Sequence, residues 1–131
     1  MKIFVLAAAF LAFAGPALAA DPVEGIWQTL PDDNGNVGQV EVAHCGDKLC
    51  GTLIRAFNAQ GQPVDSPNIG RRIVWDMVAE GNDRYGGGKV WAPDRDKTYR
   101  SKMALDGDTL AVSGCVLGGI ICRASQWTRV R

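Results

Sequence analysis

The sequence of 131 residues contains a single histidine, His44, carries no net charge, and shows no sustained helical period beyond its first 19 residues. One histidine leaves nothing from which to build a His-rich metal cage, and any Ser-His-Asp or Cys-His machinery would rest on that one side chain. Fourteen Lys and Arg residues are balanced by fourteen Asp and Glu, so the chain has no basic footprint and nucleic acid is excluded as an expected partner. Without apolar residues recurring at i, i+3 and i+4, a helical bundle is excluded as well. A hydrophobic content of 47% against 21% charged residues is too apolar for a disordered tail, and the length allows one domain. No nucleophile, base and orienting group fall in one neighbourhood, so no catalytic residue, metal or cofactor is expected and the chain reads as non-enzymatic.

The one long apolar run lies at the start. Lys2 precedes Ile3 to Phe13, Gly15-Pro16 breaks the run, and Ala17-Leu18-Ala19 supplies the small residues of a cleavage site. Residues 1–19 therefore read as a secretory signal peptide, since about 11 apolar residues fall short of the roughly 20 that cross a bilayer. The expected product is residues 20–131, periplasmic or secreted, and not membrane-spanning. An oxidising compartment favours disulfides for the four cysteines. Cys45 and Cys50 flank Gly46 to Leu49, and Cys115 and Cys122 flank Val116 to Ile121 with Gly118-Gly119 at its centre, so each pair faces itself across a hairpin. The rival reading is a four-cysteine zinc site, which the spacings of four and six intervening residues do not suit.

Runs of strand character alternate with turn signals along the rest of the chain. The pattern predicts strands over 25–30, 37–45, 49–57, 73–79, 87–92, 98–105, 108–116 and 120–130, joined by turns and one long loop, 58–72. A two-residue Asp106-Gly107 turn sets Met103 opposite Leu110 and Ser101 opposite Val112, with Thr98, Arg100 and Lys102 outward. The same alternation points Val40, Val42 and His44 inward, sends Cys45, Cys115 and Cys122 outward, and makes an inner stripe of Ile73, Trp75 and Met77. One apolar face on eight antiparallel strands, with no helix to cover it, predicts an all-β, up-and-down eight-stranded barrel, which buries that face and removes the edges. Such an interior is either filled or holds one small ligand. The loops 31–36, 58–72 and 93–97 fall at one end, the mouth.

Four polar side chains are expected to face inward: Arg55, Tyr99, Ser101 and Arg123. A buried guanidinium needs a carboxylate, an aromatic face, water or an anion. Either a bulge turns one arginine outward while the other stacks on Trp27, or Arg55, Phe57, Trp75 and Tyr99 line a pocket beneath the 58–72 loop that binds a small amphipathic or anionic molecule. Asp94 and Asp96 are too few oxygens for a calcium site. Gly86-Gly87-Gly88-Lys89 lacks the Ser or Thr and the helix of a phosphate loop.

Gly25-Ile26-Trp27 near the start and Trp127-Thr128-Arg129 at the end resemble the calycin superfamily of lipocalin-like barrels. That resemblance implies that Trp27 packs beneath Arg129 at the closed end, a cation–π contact that needs no other counter-charge. More specifically, the chain is similar to the secreted bacterial family filed as Domain of Unknown Function 2147. The matching stretches are Gly25-Ile26-Trp27, Cys50-Gly51, Asp65-Ser66-Pro67-Asn68, Gly88-Lys89-Val90-Trp91-Ala92-Pro93, Asp96-Lys97-Thr98-Tyr99, Ser113-Gly114-Cys115 and Gln126-Trp127-Thr128-Arg129. Many relatives place an acid-Gly turn where this chain has Arg95-Asp96. The resemblance implies a lipocalin-like barrel over residues 20–131 that binds a small molecule or an envelope protein. It also leaves open a calycin-type inhibitor of secreted proteases, acting through an N-terminal arm at Ala20 to Glu24.

Overall fold

The computed structural model describes residues 20–131; the expected signal peptide lies outside the described residues. Eight strands run in chain order: β1 (Gly25–Gln28), β2 (Val37–Cys45), β3 (Lys48–Phe57), β4 (Arg72–Gly81), β5 (Arg84–Ala92), β6 (Lys97–Asp106), β7 (Thr109–Val116) and β8 (Ile121–Val130), with a single 3-10 turn at Leu117–Gly119 between the last two. Each pairs antiparallel with its sequence neighbour, and β1 pairs with β8, so the sheet is a closed up-and-down barrel. The expected fold class is the observed one.

The closing seam sets Trp27 opposite Arg129 and Gln28 opposite Thr128. Trp27, Val40, Val42, Val74, Met77 and Leu110 are sealed from solvent and form the centre of one core cluster. Gly51 belongs to this packing. A Cβ there would come within 2.8 Å of both Val40 Cγ1 and Val74 Cγ2, so the absence of a side chain lets β2 and β4 close over β3.

Several registers differ from the sequence reading. The β6–β7 turn is Gly107-Asp108, with Asp106 opposite Thr109, so Met103 faces Val112 and Ser101 faces Gly114. The error is two residues, an even number, and the inward and outward assignments survive it. The β4–β5 hairpin is tighter than the expected 80–86 loop. Its turn is Asn82-Asp83, with φ of 55° and 59°, the paired left-handed conformation that matches the twist of a two-residue hairpin. The Gly86–Gly88 run, expected at the start of a strand, lies inside β5, where the register shifts between Tyr85 and Gly88. Ile120, expected in the last strand, belongs to the turn, and β1 stops at Gln28.

Two bulges overturn side-chain directions. On β4, Gly51 pairs with Val74 and Leu49 with Met77, so an extra residue is taken up around Asp76, whose φ is 58°. Val74 and Met77 point inward, and Trp75, expected in the inner stripe, lies beside the exposed Lys89 on the outer face. On β3, Val40 pairs with Leu53 but Gln39 with Arg55. The extra residue turns Arg55 outward, where it is exposed and its guanidinium donates to Gln39 Oε1 at 3.4 Å.

Both local disulfides are present, Cys45–Cys50 with Cα atoms 5.9 Å apart and Cys115–Cys122 between directly opposed residues of β7 and β8. No cysteine is left free, which rules out the four-cysteine zinc reading.

Candidate ligand-binding cavity

The closed end is built from the seam. Arg129 Cζ stands 4.4 Å from the centroid of the Trp27 ring. Its fork is then satisfied in three directions, with Nη1 donating to the Glu24 carbonyl at 3.2 Å and Nη2 to the Pro22 carbonyl at 2.8 Å, and Nε facing Asp108 Oδ1 at 3.3 Å. The indole Nε1 of Trp27 donates to the Val23 carbonyl at 2.9 Å. Gly25 has φ of 140°, and a Cβ there would meet Arg129 Nη1 at 3.0 Å, so glycine serves both the backbone and the space for the guanidinium.

The segment before β1 is bound to the same end. Val23 is fully buried, the Tyr85 hydroxyl donates to Asp21 Oδ1, and burial followed by the Asp21 carboxylate pushes the Tyr85 phenol well above its ordinary pKa. Glu24 Oε1 meets His44 Nδ1 at 3.0 Å and accepts from the His44 backbone N–H at 3.2 Å. The side-chain hydrogen bond to His44 is the largest influence holding the Glu24 carboxyl below its usual range. A carboxylate with a depressed folded-state pKa adds stability that is complete above its unfolded value and is lost as pH falls through the folded one. The contribution is therefore full above about pH 4.5 and disappears on further acidification. In acid titrations of stability, Glu24→Gln flattens that limb; an unchanged acid limb would show that the pair contributes nothing.

Above this floor the barrel opens. A cavity of about 1180 Å³ occupies the mouth end, larger than the roughly 300–1000 Å³ of most small-molecule pockets. Its walls include Val40, Leu53, Ile73, Val90 and Val112, with Trp91 and Trp127 among its aromatics. Tyr99, Arg123 and Ser125 are the polar groups on its strands, and the loops around 31–36, 64–68 and 92–95 form the rim. Arg123 lies opposite Gly114, where a Cβ would touch Tyr99 and Val90 at 3.5 Å. Among the described residues no carboxylate comes within ion-pair distance of it.

Of the six residues expected to line a pocket, Tyr99 and Arg123 do so. Ser101 is buried, its Oγ lacks a hydrogen-bond partner, and it opens onto a separate cleft of about 270 Å³ beside Gly87 and Gly88. Arg55 and Trp75 are turned outward by the two bulges. Phe57 ends β3, bridged to Pro63, and does not line the cavity. Nor does Arg123 stack on Trp27, the alternative weighed above, since Arg129 holds that place. Trp91 and Arg71 were missed. Arg71 Cζ lies 3.3 Å from the Trp91 centroid, and Trp91 Nε1 donates to Asp96 Oδ1 at 2.9 Å. An indole directly before Ala92-Pro93, at a strand end and loop junction, was the available signal. Asp96 has φ of 48°, a left-handed conformation that glycine, Asn and Asp adopt most readily; here Asp96 also supplies the acceptor for Trp91. Among the described residues no three His, Cys, Asp or Glu side chains gather as a metal cage.

With this geometry in place, the comparisons with known proteins become informative. The family model described as "Uncharacterized protein conserved in bacteria (DUF2147)" matches residues 25–129, from the seam glycine to the seam arginine. The chain belongs to that family. No curated protein matches it. Among solved structures, this DUF2147 chain is similar to the protein HP1028 from Helicobacter pylori, described as belonging to the lipocalin family, with 20% identity over 82% of each chain and a TM-score of 0.65. The likeness concerns the fold, a lipocalin-like barrel, and agrees with the closed eight-strand topology.

Proposed function

We propose that this DUF2147 protein is an exported, non-enzymatic carrier or sensor that holds a small anionic amphiphile in the open half of its barrel. The observation that supports this most is Arg123, an exposed guanidinium on the lining of the open cavity that among the described residues has no carboxylate within ion-pair distance. In that setting an anion forms charge-assisted hydrogen bonds to a planar fork while its tail meets the valine, leucine and tryptophan walls. Tyr99, on the same lining, offers a second polar contact. Export is supported by two disulfides that close short loops, a feature of oxidising compartments.

The competing calycin-type inhibitor reading has less support. It requires a free N-terminal arm, whereas Asp21, Val23 and Glu24 are each engaged at the closed end.

Thermal shift of residues 20–131 with dodecanoate and with neutral dodecanol tests the proposal. Dodecanoate raises the melting temperature more than dodecanol does, and Arg123→Ala weakens dodecanoate binding about tenfold or more, while Arg55→Ala behaves as the wild type. Equal binding by the Arg123→Ala protein, or no response to any anionic amphiphile, would remove the reading.

A further inference from the structure

The seam that closes the barrel is short. β1 covers β8 over three residue pairs, Ile26–Val130, Trp27–Arg129 and Gln28–Thr128, whereas β7 covers it from Ile121 to Thr128 without a break. Towards the mouth the chain after β1 turns away, Thr29 bonding to the Gly38 carbonyl and Asp32 to the Asn36 carbonyl. Among the described residues no backbone group of the 29–36 segment bonds to residues 121–127. This part of β8 therefore has a neighbouring strand on one side only, and Ile121, Cys122, Arg123, Ala124 and Gln126 are exposed.

Which backbone groups face the open side follows from the alternation of an antiparallel ladder. Arg129 donates its N–H to the Asp108 carbonyl at 2.8 Å, so the odd-numbered residues of β8 turn their backbone groups towards β7, and the unbroken register carries that alternation along the strand. The opposed Cys115 and Cys122 have Cα atoms 4.1 Å apart, the close spacing of a pair that is not hydrogen-bonded. Both observations agree. The N–H and C=O groups of Cys122, Ala124 and Gln126 point into the gap that β1 leaves.

Sheet edges are commonly blunted by lysine, proline or a bulge. This edge has none of the three, since residues 121–127 read Ile-Cys-Arg-Ala-Ser-Gln-Trp and the register with β7 is continuous. The Cys115–Cys122 bridge ties β8 to β7 at this level, so the edge is extended before anything pairs with it. Leu30 and Asp33 on one lip of the gap and Arg123 and Ser125 on the other all line the cavity. The gap opens into the barrel.

The edge itself sets what fits. It offers donors and acceptors in alternation, so a carboxylate, with acceptors alone, matches half of them, while an extended polypeptide backbone matches both. The charges bordering the gap, Asp32 and Asp33 on one lip and Arg123 on the other, are of both signs, and backbone pairing depends on neither. A second copy of the hairpin fits less well. Paired antiparallel about Ala124, its Ile120 would take the place opposite Thr128 that Gln28 already holds, an obstacle that a separate strand with a free end does not meet.

We propose that the free edge of β8 takes up an extended peptide segment as an added antiparallel strand. The peptide residues flanking the one opposite Ala124 then place apolar side chains in the cavity. This goes beyond the amphiphile reading and does not rest on it.

The probe is a dye-labelled, capped heptapeptide of alternating valine and threonine between terminal lysines, titrated into residues 20–131 by fluorescence anisotropy. Its control is the same peptide N-methylated at the threonines, whose N–H groups face β8 when the valines enter the cavity. The wild type binds the first peptide, and methylation weakens binding about tenfold or more. Ala124→Pro weakens it as much, because it removes a donor that faces the gap and not β7, and the variant keeps its thermal response to dodecanoate. In amide hydrogen exchange the peptide slows Cys122, Ala124 and Gln126 and leaves Arg123 and Ser125 unchanged. Should the proline impair folding, the methylated peptide and the exchange pattern decide on the wild type alone. No binding of the first peptide, equal binding of the methylated one, or equal binding by a folded Ala124→Pro protein would overturn the inference. So would protection of the same three amides by raised protein concentration without peptide, which assigns the edge to a second copy. A dodecanoate response without peptide binding removes this inference alone, and peptide binding without a dodecanoate response removes only the amphiphile reading.

Discussion

Trp27→Ala lowers the unfolding free energy by about 3–5 kcal/mol, the range for removing a large aromatic from a packed core. Against a total of roughly 5–15 kcal/mol for a domain of this kind, the variant stands near the edge of folding at room temperature. Several contributions disappear together. The ring is completely buried, its face carries the Arg129 guanidinium at 4.4 Å, and its Nε1 holds the Val23 carbonyl at 2.9 Å. Loss of the indole therefore also loosens the segment before β1, so residues 21–24 become sensitive to limited proteolysis under native conditions. Chemical denaturation of wild type and variant provides the measurement, and a loss below about 1 kcal/mol would mean that the closed end is held by something other than this ring.

Reduction of both disulfides costs about 4–5 kcal/mol in total, the second large effect. In the chain-entropy description each bridge restricts only the unfolded chain across its own short loop, and sequence separations of 5 and 7 correspond to about 2–2.5 kcal/mol apiece. The bridges lie on opposite ends of the barrel, Cys45–Cys50 beside the β2–β3 turn and Cys115–Cys122 below the β7–β8 tip, so their contributions add. Melting with and without reductant, together with Cys45→Ala/Cys50→Ala and Cys115→Ala/Cys122→Ala proteins, separates the two. Roughly equal losses that sum to the reduced value are expected; a reduced protein melting with the oxidised one would show that the loops are equally restricted without the bridges.

What the sequence made legible follows from which physical signals are local. Alternation of apolar residues announced the strands, and closure followed from the need to cover one apolar face without helices. Gly25-Ile26-Trp27 and Arg129 pointed to the seam through a resemblance, and the cysteine pairs through hairpin turns. Side-chain direction survived the wrong β6–β7 turn because the slip was even. It failed at Arg55 and Trp75, where a bulge adds one residue and reverses the face. Neither bulge has a local signature: Asp76 adopts a left-handed conformation within an otherwise unbroken strand, a choice imposed by pairing with β3 and β5. The cavity was half legible for the same reason. Tyr99 and Arg123 sit on strands without an intervening bulge, whereas the Arg71–Trp91 stack joins a loop to a strand end far apart in sequence. The tip at Leu117 and Ile120 reads in sequence as ordinary turn and strand, since only the structure shows that these side chains are largely exposed among the described residues.

A double-mutant cycle on Trp27 and Arg129 tests the seam most directly. Trp27→Leu and Arg129→Met, singly and together, isolate the pairwise contact between indole and guanidinium from the carbonyl hydrogen bonds that each makes separately. The barrel closed as described here yields a coupling of about 1–2 kcal/mol, as for a largely desolvated cation–π pair. Losses that simply add would contradict it, because residues joined face to face across the closing strands cannot be energetically independent.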